Sequence, residues 1–206
     1  MKEKLSALAL LFAMLCPTSV AFAQSTAEVK TKVLSVDMGQ PGCAISVVDY
    51  YGGHLDSRMQ KTAGYWVDAP PVHSTLGKLG VNFECQVGTD FDNAAQAFGA
   101  SWDANKNIWK LYYKGEDEKI LSHVSRIYQL RSKNAVGFLA TTDQINGEES
   151  QRVRFYSFCL FHNKAAVCGD GQSMKLEDPK SNYLPYILRI LRGVSFIDTP
   201  KDDSNR

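Results

Sequence analysis

The 206-residue chain has no apolar run long enough to cross a bilayer. Its longest, Leu5 to Cys16, is about twelve residues and stops at Pro17, where a spanning helix needs roughly 20. It also lacks a charge bias, with 23 Lys and Arg against 22 Asp and Glu. Balanced charge argues against nucleic acid as a partner and against a polybasic membrane anchor. No two cysteines are spaced as in C-x-x-C, so neither a redox dithiol nor a thiolate metal site is indicated. There is no G-x-S-x-G, S-x-x-K or H-E-x-x-H pattern, and His54, His73, His123 and His162 are widely separated. Internal repeats, low-complexity segments and an interdomain linker are missing too.

What is present begins with an export signal. Lys2 and Lys4 form a basic n-region, Leu5 to Cys16 an apolar h-region, and Ala21-Phe22-Ala23 a small-x-small cleavage site before Gln24. Residues 1–23 are expected to be a signal peptide and the protein periplasmic. Cys16 follows Leu15 and precedes Pro17, a poor context for lipidation, so it is expected to leave with the leader. The rest has no formal charge and is long enough for one domain, residues 24–198, followed by a charged tail at 199–206 that is expected to be disordered.

Four cysteines remain, which in an exported chain points to two disulfides with three possible connectivities. Arg152 to Phe161 is rich in aromatic and β-branched residues, and Ala165 to Cys168 is a second apolar run. With Asn163-Lys164 as a two-residue turn, His162 faces Ala165 and Cys159 faces Cys168. Counted outward from the turn, that pair is not hydrogen-bonded, which brings Cα atoms to about 4.5 Å, within disulfide reach. Cys159–Cys168 is therefore expected, and Cys43–Cys85 by elimination.

Strands are expected at Ala44–Tyr51, ended by Gly52-Gly53, and at Gly80–Val87, whose alternation puts Val81, Phe83, Cys85 and Val87 on one face. Asn107–Tyr113, His123–Arg131, Ala135–Thr142, Gln151–Phe161 and Ala165–Cys168 follow with frequent turn signals, as in an antiparallel meander. Gln24–Lys32 is polar and expected to be loose; Ser57–Thr62 is ambiguous. Phe91–Ala100 fits a short helix capped by Asp90 or Asp92. Near the C-terminus, Leu184, Ile187, Leu188 and Leu191 form one amphipathic stripe. Pro185 lies in the first turn, Ser181 or Asn182 is the cap, and Gly193 is placed at C′. A last strand, Val194–Ile197, completes an α+β fold: a twisted antiparallel sheet against a C-terminal helix.

Candidate chemistry is sparse. Asp103-Ala104-Asn105-Lys106-Asn107 imitates the start of a calcium loop, but Ile108 and Lys114 stand where Gly and Glu are required, so it reads as a turn. Gly169-Asp170-Gly171 lacks a following helix start with lysine and also reads as a turn. His54 lies in a loop beside Asp56 and, with His73, is what a dispersed hydrolase site would use. No catalytic residue, metal or cofactor is assigned. Tyr50-Tyr51, Tyr65-Trp66 and Tyr112-Tyr113, with Tyr156, place large side chains on consecutive strand positions. One member of each pair faces the core, and the other either anchors a protein interface or lies under a second layer.

Tyr183-Leu184-Pro185-Tyr186-Ile187-Leu188-Arg189-Ile190-Leu191-Arg192-Gly193-Val194-Ser195-Phe196-Ile197, a helix leading straight into a short strand, resembles the closing element of PsbP-like domains. That group includes DcrB-type envelope proteins and periplasmic immunity proteins that block type VI secretion effectors. The resemblance implies a helix packed on a twisted antiparallel sheet and a non-enzymatic role; it carries over no functional residue. The expected function is thus a periplasmic protein-binding module, an immunity protein against a secreted effector being the sharpest case. A carrier holding a lipid or small apolar ligand between helix and sheet, and a hydrolase, are the alternatives.

Overall fold

A computed structural model describes residues 31–88 and 90–198. The expected leader, residues 1–23, and the tail, 199–206, lie outside the described residues. In chain order the elements are β1 (Lys32–Asp37), β2 (Ala44–Asp49), β3 (His54–Met59), β4 (Thr62–Val67), β5 (Leu79–Val87), α1 (Phe91–Ala97), β6 (Ala100–Asp103), β7 (Ile108–Leu111), α2 (Asp117–Leu121), β8 (Ser125–Arg131), β9 (Val136–Asp143), β10 (Val153–His162), β11 (Ala165–Lys175), α3 (Leu184–Arg192) and β12 (Val194–Phe196). The strands form a seven-stranded sheet in the order β3-β4-β5-β11-β10-β9-β8, a three-stranded sheet β1-β2-β12 and the hairpin β6-β7. The large sheet is two antiparallel meanders, β3–β5 and β8–β11, joined where β11 pairs with β5 over Ala165–Cys168.

The β10–β11 register pairs His162 with Ala165 and Cys159 with Cys168, as the turn residues require. Asn163 adopts φ 52°, the left-handed conformation that makes asparagine a good hairpin residue. Cys159 and Cys168 are bonded, with Cα atoms 4.0 Å apart. Cys43–Cys85 is the other disulfide and ties the entrance of β2 to β5, joining the two larger sheets.

Alternation along β9, β10 and β11 sorts their side chains onto two faces. On the first face lie Leu139, Phe158, Leu160 and Val167, together with Tyr65, Val81 and Phe83 of β4 and β5. They pack with Ile45 and Val47 of β2 and with Leu184, Ile187, Ile190 and Leu191 of α3. On the second face lie Phe138, Ala140, Cys159, Phe161, Ala166 and Cys168, under Ala94 and Ala95 of α1, Ala100 of β6 and Trp109 of β7. The middle of the sheet is therefore covered on both sides.

Several elements differ from the expectation. Of Gln24–Lys32, expected to be loose, residues 24–30 lie outside the described residues and Lys32 opens the edge strand β1; the ambiguous Ser57–Thr62 spans the end of β3, the turn and the start of β4, with Lys61 at φ 72°. The first helix stops at Ala97 because Gly99, at φ 81°, turns the chain into β6. Gly193 is not a left-handed C′ residue: it has φ −86° and caps α3, where a Cβ would sit 3.1 Å from the Tyr50 ring and 3.2 Å from Val48. Neither cap candidate holds the N-cap position, which is Tyr183; Asn182, one residue earlier, accepts the Leu184 N–H on its Oδ1 at 2.9 Å. Gly169-Asp170-Gly171 is not a turn but lies inside β11. A Cβ at Gly169 would come within 2.1 Å of the Asn82 carbonyl on β5 and 2.8 Å of the Phe158 ring on β10, and one at Gly171 within 3.0 Å of Tyr156, its partner on β10.

Candidate functional site

The aromatic pairs do not share one environment. Only Tyr65 and Trp66 occupy consecutive strand positions, in β4. Tyr50-Tyr51 and Tyr112-Tyr113, expected within strands, follow the ends of β2 and β7. Tyr65 is fully buried on the first face and its hydroxyl donates to Asp49 Oδ1 at 2.7 Å. Trp66, on the second face, lies over Gly64 and Gly80, where a Cβ would meet its ring at 2.4 and 2.2 Å. Tyr156 is buried and donates to the Gly80 carbonyl at 3.2 Å. Tyr65, Trp66 and Tyr156 thus serve the sheet itself. The other four lie on two surfaces.

The first surface surrounds the β6–β7 hairpin. Its tip is the Asp103–Asn107 turn, where Asp103 Oδ1 accepts the N–H groups of Asn105 and Lys106, both at 3.2 Å. This turn puts Trp102 opposite Trp109. The carboxamide of Gln129 on β8 then pairs with the Trp109 backbone, accepting its N–H at 2.9 Å and donating to its carbonyl at 2.8 Å, as a neighbouring strand would. Trp109 is buried and stacks on Phe161 with centroids 5.0 Å apart, and Trp102 meets its edge at 5.1 Å.

Three hollows adjoin this hairpin. One, of about 370 Å³, is lined by Phe91, Trp102, Trp109, Val136 and Phe161, with Asp92, His162 and Asn163 on the rim. The second, of about 490 Å³, shares Trp102 and adds Tyr112 and Tyr113. The third, of about 400 Å³, shares Tyr112 and Tyr113 and has a floor of small residues, Gly99, Ala140, Ser125 and Ser157. The floor is already hydrogen-bonded: Ser157 donates to the Phe98 carbonyl at 2.7 Å, and the Ser125 and Thr142 hydroxyls are 2.9 Å apart. The hollows neighbour one another, two sharing Trp102 and two sharing Tyr112 and Tyr113, and along this grooved surface Trp102 is 37% and Tyr112 38% exposed. Tyr112 and Tyr113 were expected as binding residues. Phe91, Trp102, Trp109 and Phe161 were not, although tryptophans placed symmetrically about a polar turn were a usable signal.

The second surface is a corner between β2 and α3. Tyr50 and Tyr51 are 6.1 Å apart, Tyr51 meets the edge of Tyr186 at 5.6 Å, and the Arg189 guanidinium lies 4.3 Å from the centre of the Tyr50 ring. Burial pushes the Tyr51 phenol up, and Arg189 only partly offsets it. Beneath this corner Asp49 Oδ1 accepts the N–H groups of Tyr51 and Gly53 as well as the Tyr65 hydroxyl. Burial raises the Asp49 carboxyl, but these hydrogen bonds outweigh it and hold the group below its usual range. Burial and the hydrogen bond to Asp49 push the Tyr65 phenol well above its usual range.

His54 is not in a loop: it opens the edge strand β3, exposed, with Asp56 at 3.7 Å and Asp68 at 3.9 Å. Lys78 pairs with the same Asp68. His73 is exposed too, and the ion pairs of His54 among the described residues are with Asp56 and Asp68. Between α3 and the sheet, where a carrier would hold its ligand, Leu184, Ile187, Ile190 and Leu191 are 0–5% exposed and close-packed. Among the described residues, no cluster of His, Cys, Asp and Glu is arranged to hold a metal ion. Set beside known proteins, the chain matches no family model, no curated protein and no solved structure.

Proposed function

We propose that the protein is an exported module that binds another protein, with the groove around the β6–β7 hairpin as its docking face. The observation that carries this reading is the pair Trp102 and Tyr112, exposed yet mounted on a hairpin whose backbone is clamped by Gln129. Large aromatic side chains on a rigid mount contribute contact area at low entropic cost, and such residues dominate protein interfaces. The trough of Phe91, Trp102, Trp109, Val136 and Phe161 takes an apolar side chain of the partner. Two disulfides fit an exported protein, and no helix among the described residues is long and apolar enough to cross a membrane. The periplasm is the proposed compartment. The likeness of the C-terminal helix and strand to PsbP-like domains makes a secreted effector the proposed partner, neutralised by occlusion.

The test uses the natural chain and a Trp102→Ala/Tyr112→Ala variant, its fold checked by circular dichroism, as baits for a candidate effector and in envelope extract. Support is an effector held by the natural chain at least tenfold more tightly than by the variant. Equal retention by both, or retention of no effector, overturns the reading.

A further inference from the structure

We propose that the corner of Tyr50, Tyr51, Tyr186 and Arg189 is a second contact surface and takes a carboxylate-rich segment of a partner protein. The inference rests on the reading that the chain binds a protein, and adds the chemistry of one contact. Arg189 is exposed on the last turn of α3. Its guanidinium carbon is 4.3 Å from the Tyr50 centroid and 5.8 Å from that of Tyr51. The platform beneath it is firm, because Tyr50 packs against Gly193, where even a Cβ would come within 3.1 Å of the ring, and Tyr51 is braced by Tyr186. Attraction to aromatic faces positions a cation without neutralising it. A positioned guanidinium has lost part of the freedom that pairing with a planar acid would cost, and its fork of N–H donors matches a carboxylate.

The guanidinium at this corner is in no ion pair: no carboxylate among the described residues pairs with Arg189, or with Arg192 on the same turn. Asp49, the acid next to Tyr50 in sequence, is buried, and its Oδ1 already accepts three donors. The helix dipole favours a cation at this end of α3. It does not call for two tyrosine rings beside that cation.

Fluorescence anisotropy of a labelled hexaglutamate peptide, titrated with the mature chain at low salt, tests the proposal. Arg189→Ala is expected to weaken binding at least tenfold and Arg189→Lys severalfold, since lysine lacks the fork. Lys106→Ala removes the same charge from the β6–β7 turn and is expected to leave affinity within twofold. Equal losses for Arg189→Ala and Lys106→Ala, or no measurable binding, overturn the proposal. So does tighter Arg189-dependent binding of inorganic phosphate or of phosphatidylglycerol vesicles than of the peptide. Trp102→Ala/Tyr112→Ala is expected to bind the peptide as the natural chain does, so failure at this corner is distinguishable from failure of the groove.

Discussion

The two faces of the seven-stranded sheet are covered differently. On the first, a three-stranded sheet and the nine-residue α3 press aliphatic side chains and tyrosines into a core whose members are 0–5% exposed. On the second, a seven-residue helix and a two-stranded hairpin cover alanines and aromatic rings, and three open hollows remain. A short helix and a small hairpin cannot cover a sheet of this width. The first face therefore supplies most of the buried apolar area that stabilises the fold, and the second keeps exposed aromatics that a partner can cover. Each face also has its own disulfide: Cys85 points into the first core, and Cys159–Cys168 lies in the second.

The sharpest way to break this comparison is to remove the disulfides one at a time. Cys43→Ala/Cys85→Ala opens a link across 42 residues and unties two sheets; chain entropy alone sets the loss at about 4 kcal/mol. Cys159→Ala/Cys168→Ala opens a link across 9 residues between strands already paired by their ladder, for about 3 kcal/mol. Urea unfolding midpoints of the two variants measure the difference. If the second variant is the less stable, the first face is not the dominant core.

A smaller effect is expected from the charge at the edge of the first core. Asp49→Asn weakens the acceptor for Tyr65, Tyr51 and Gly53, and hydrogen bonds to a charged group contribute on the order of 2 kcal/mol. The Asp49 carboxyl lies lower in the folded protein than its ordinary 3.8, so the folded state favours the ionised form. That stability is fully present above about pH 4 and is lost as pH falls through the folded value. The stability gap between the natural chain and Asp49→Asn is expected to be constant from pH 8 to 5 and to narrow below pH 4. Chemical denaturation across that range measures it; a gap that does not narrow at all below pH 4 would show that the asparagine itself perturbs the core.

The central hairpin and the helix of the first face were legible. A two-residue turn containing asparagine determines which residues of β10 and β11 meet, and the disulfides follow from that register. The 3.6-residue period of Leu184, Ile187 and Leu191 identifies α3. What escaped was backbone pairing with little apolar signal. The edge strands β1 and β3 carry exposed polar residues such as Ser35, Asp37 and Asp56, a pattern that protects sheet edges and leaves β1 only two inward apolar positions, Leu34 and Val36, too short a run to mark a strand. In β11, Gly169 and Gly171 look like turn residues because what they accommodate, the rings of β10 and the Asn82 carbonyl of β5, is distant in sequence. The groove was half legible. Tyr112 and Tyr113 drew notice as a pair, whereas Phe91 and Phe161 reach it only through the docking of α1 and the hairpin onto the sheet.

The smallest expected effect separates the faces most directly. Gln129→Ala removes the two hydrogen bonds that hold β7 beside β8 and leaves both cores otherwise filled. Gln129 is exposed, so water replaces the lost bonds and the net cost is about 1 kcal/mol. If the second face is a lightly held cover, the loss is local. Amide exchange is then expected to quicken tenfold or more at Trp109 and Leu111, while Ile45, Val47 and Leu160 keep their protection. Trp102 would lose its rigid mount, and effector binding through the groove would weaken with the variant still folded. Equal acceleration at β2 would mean that the two faces open as one unit, and the hairpin would then be part of the core rather than a cover on it.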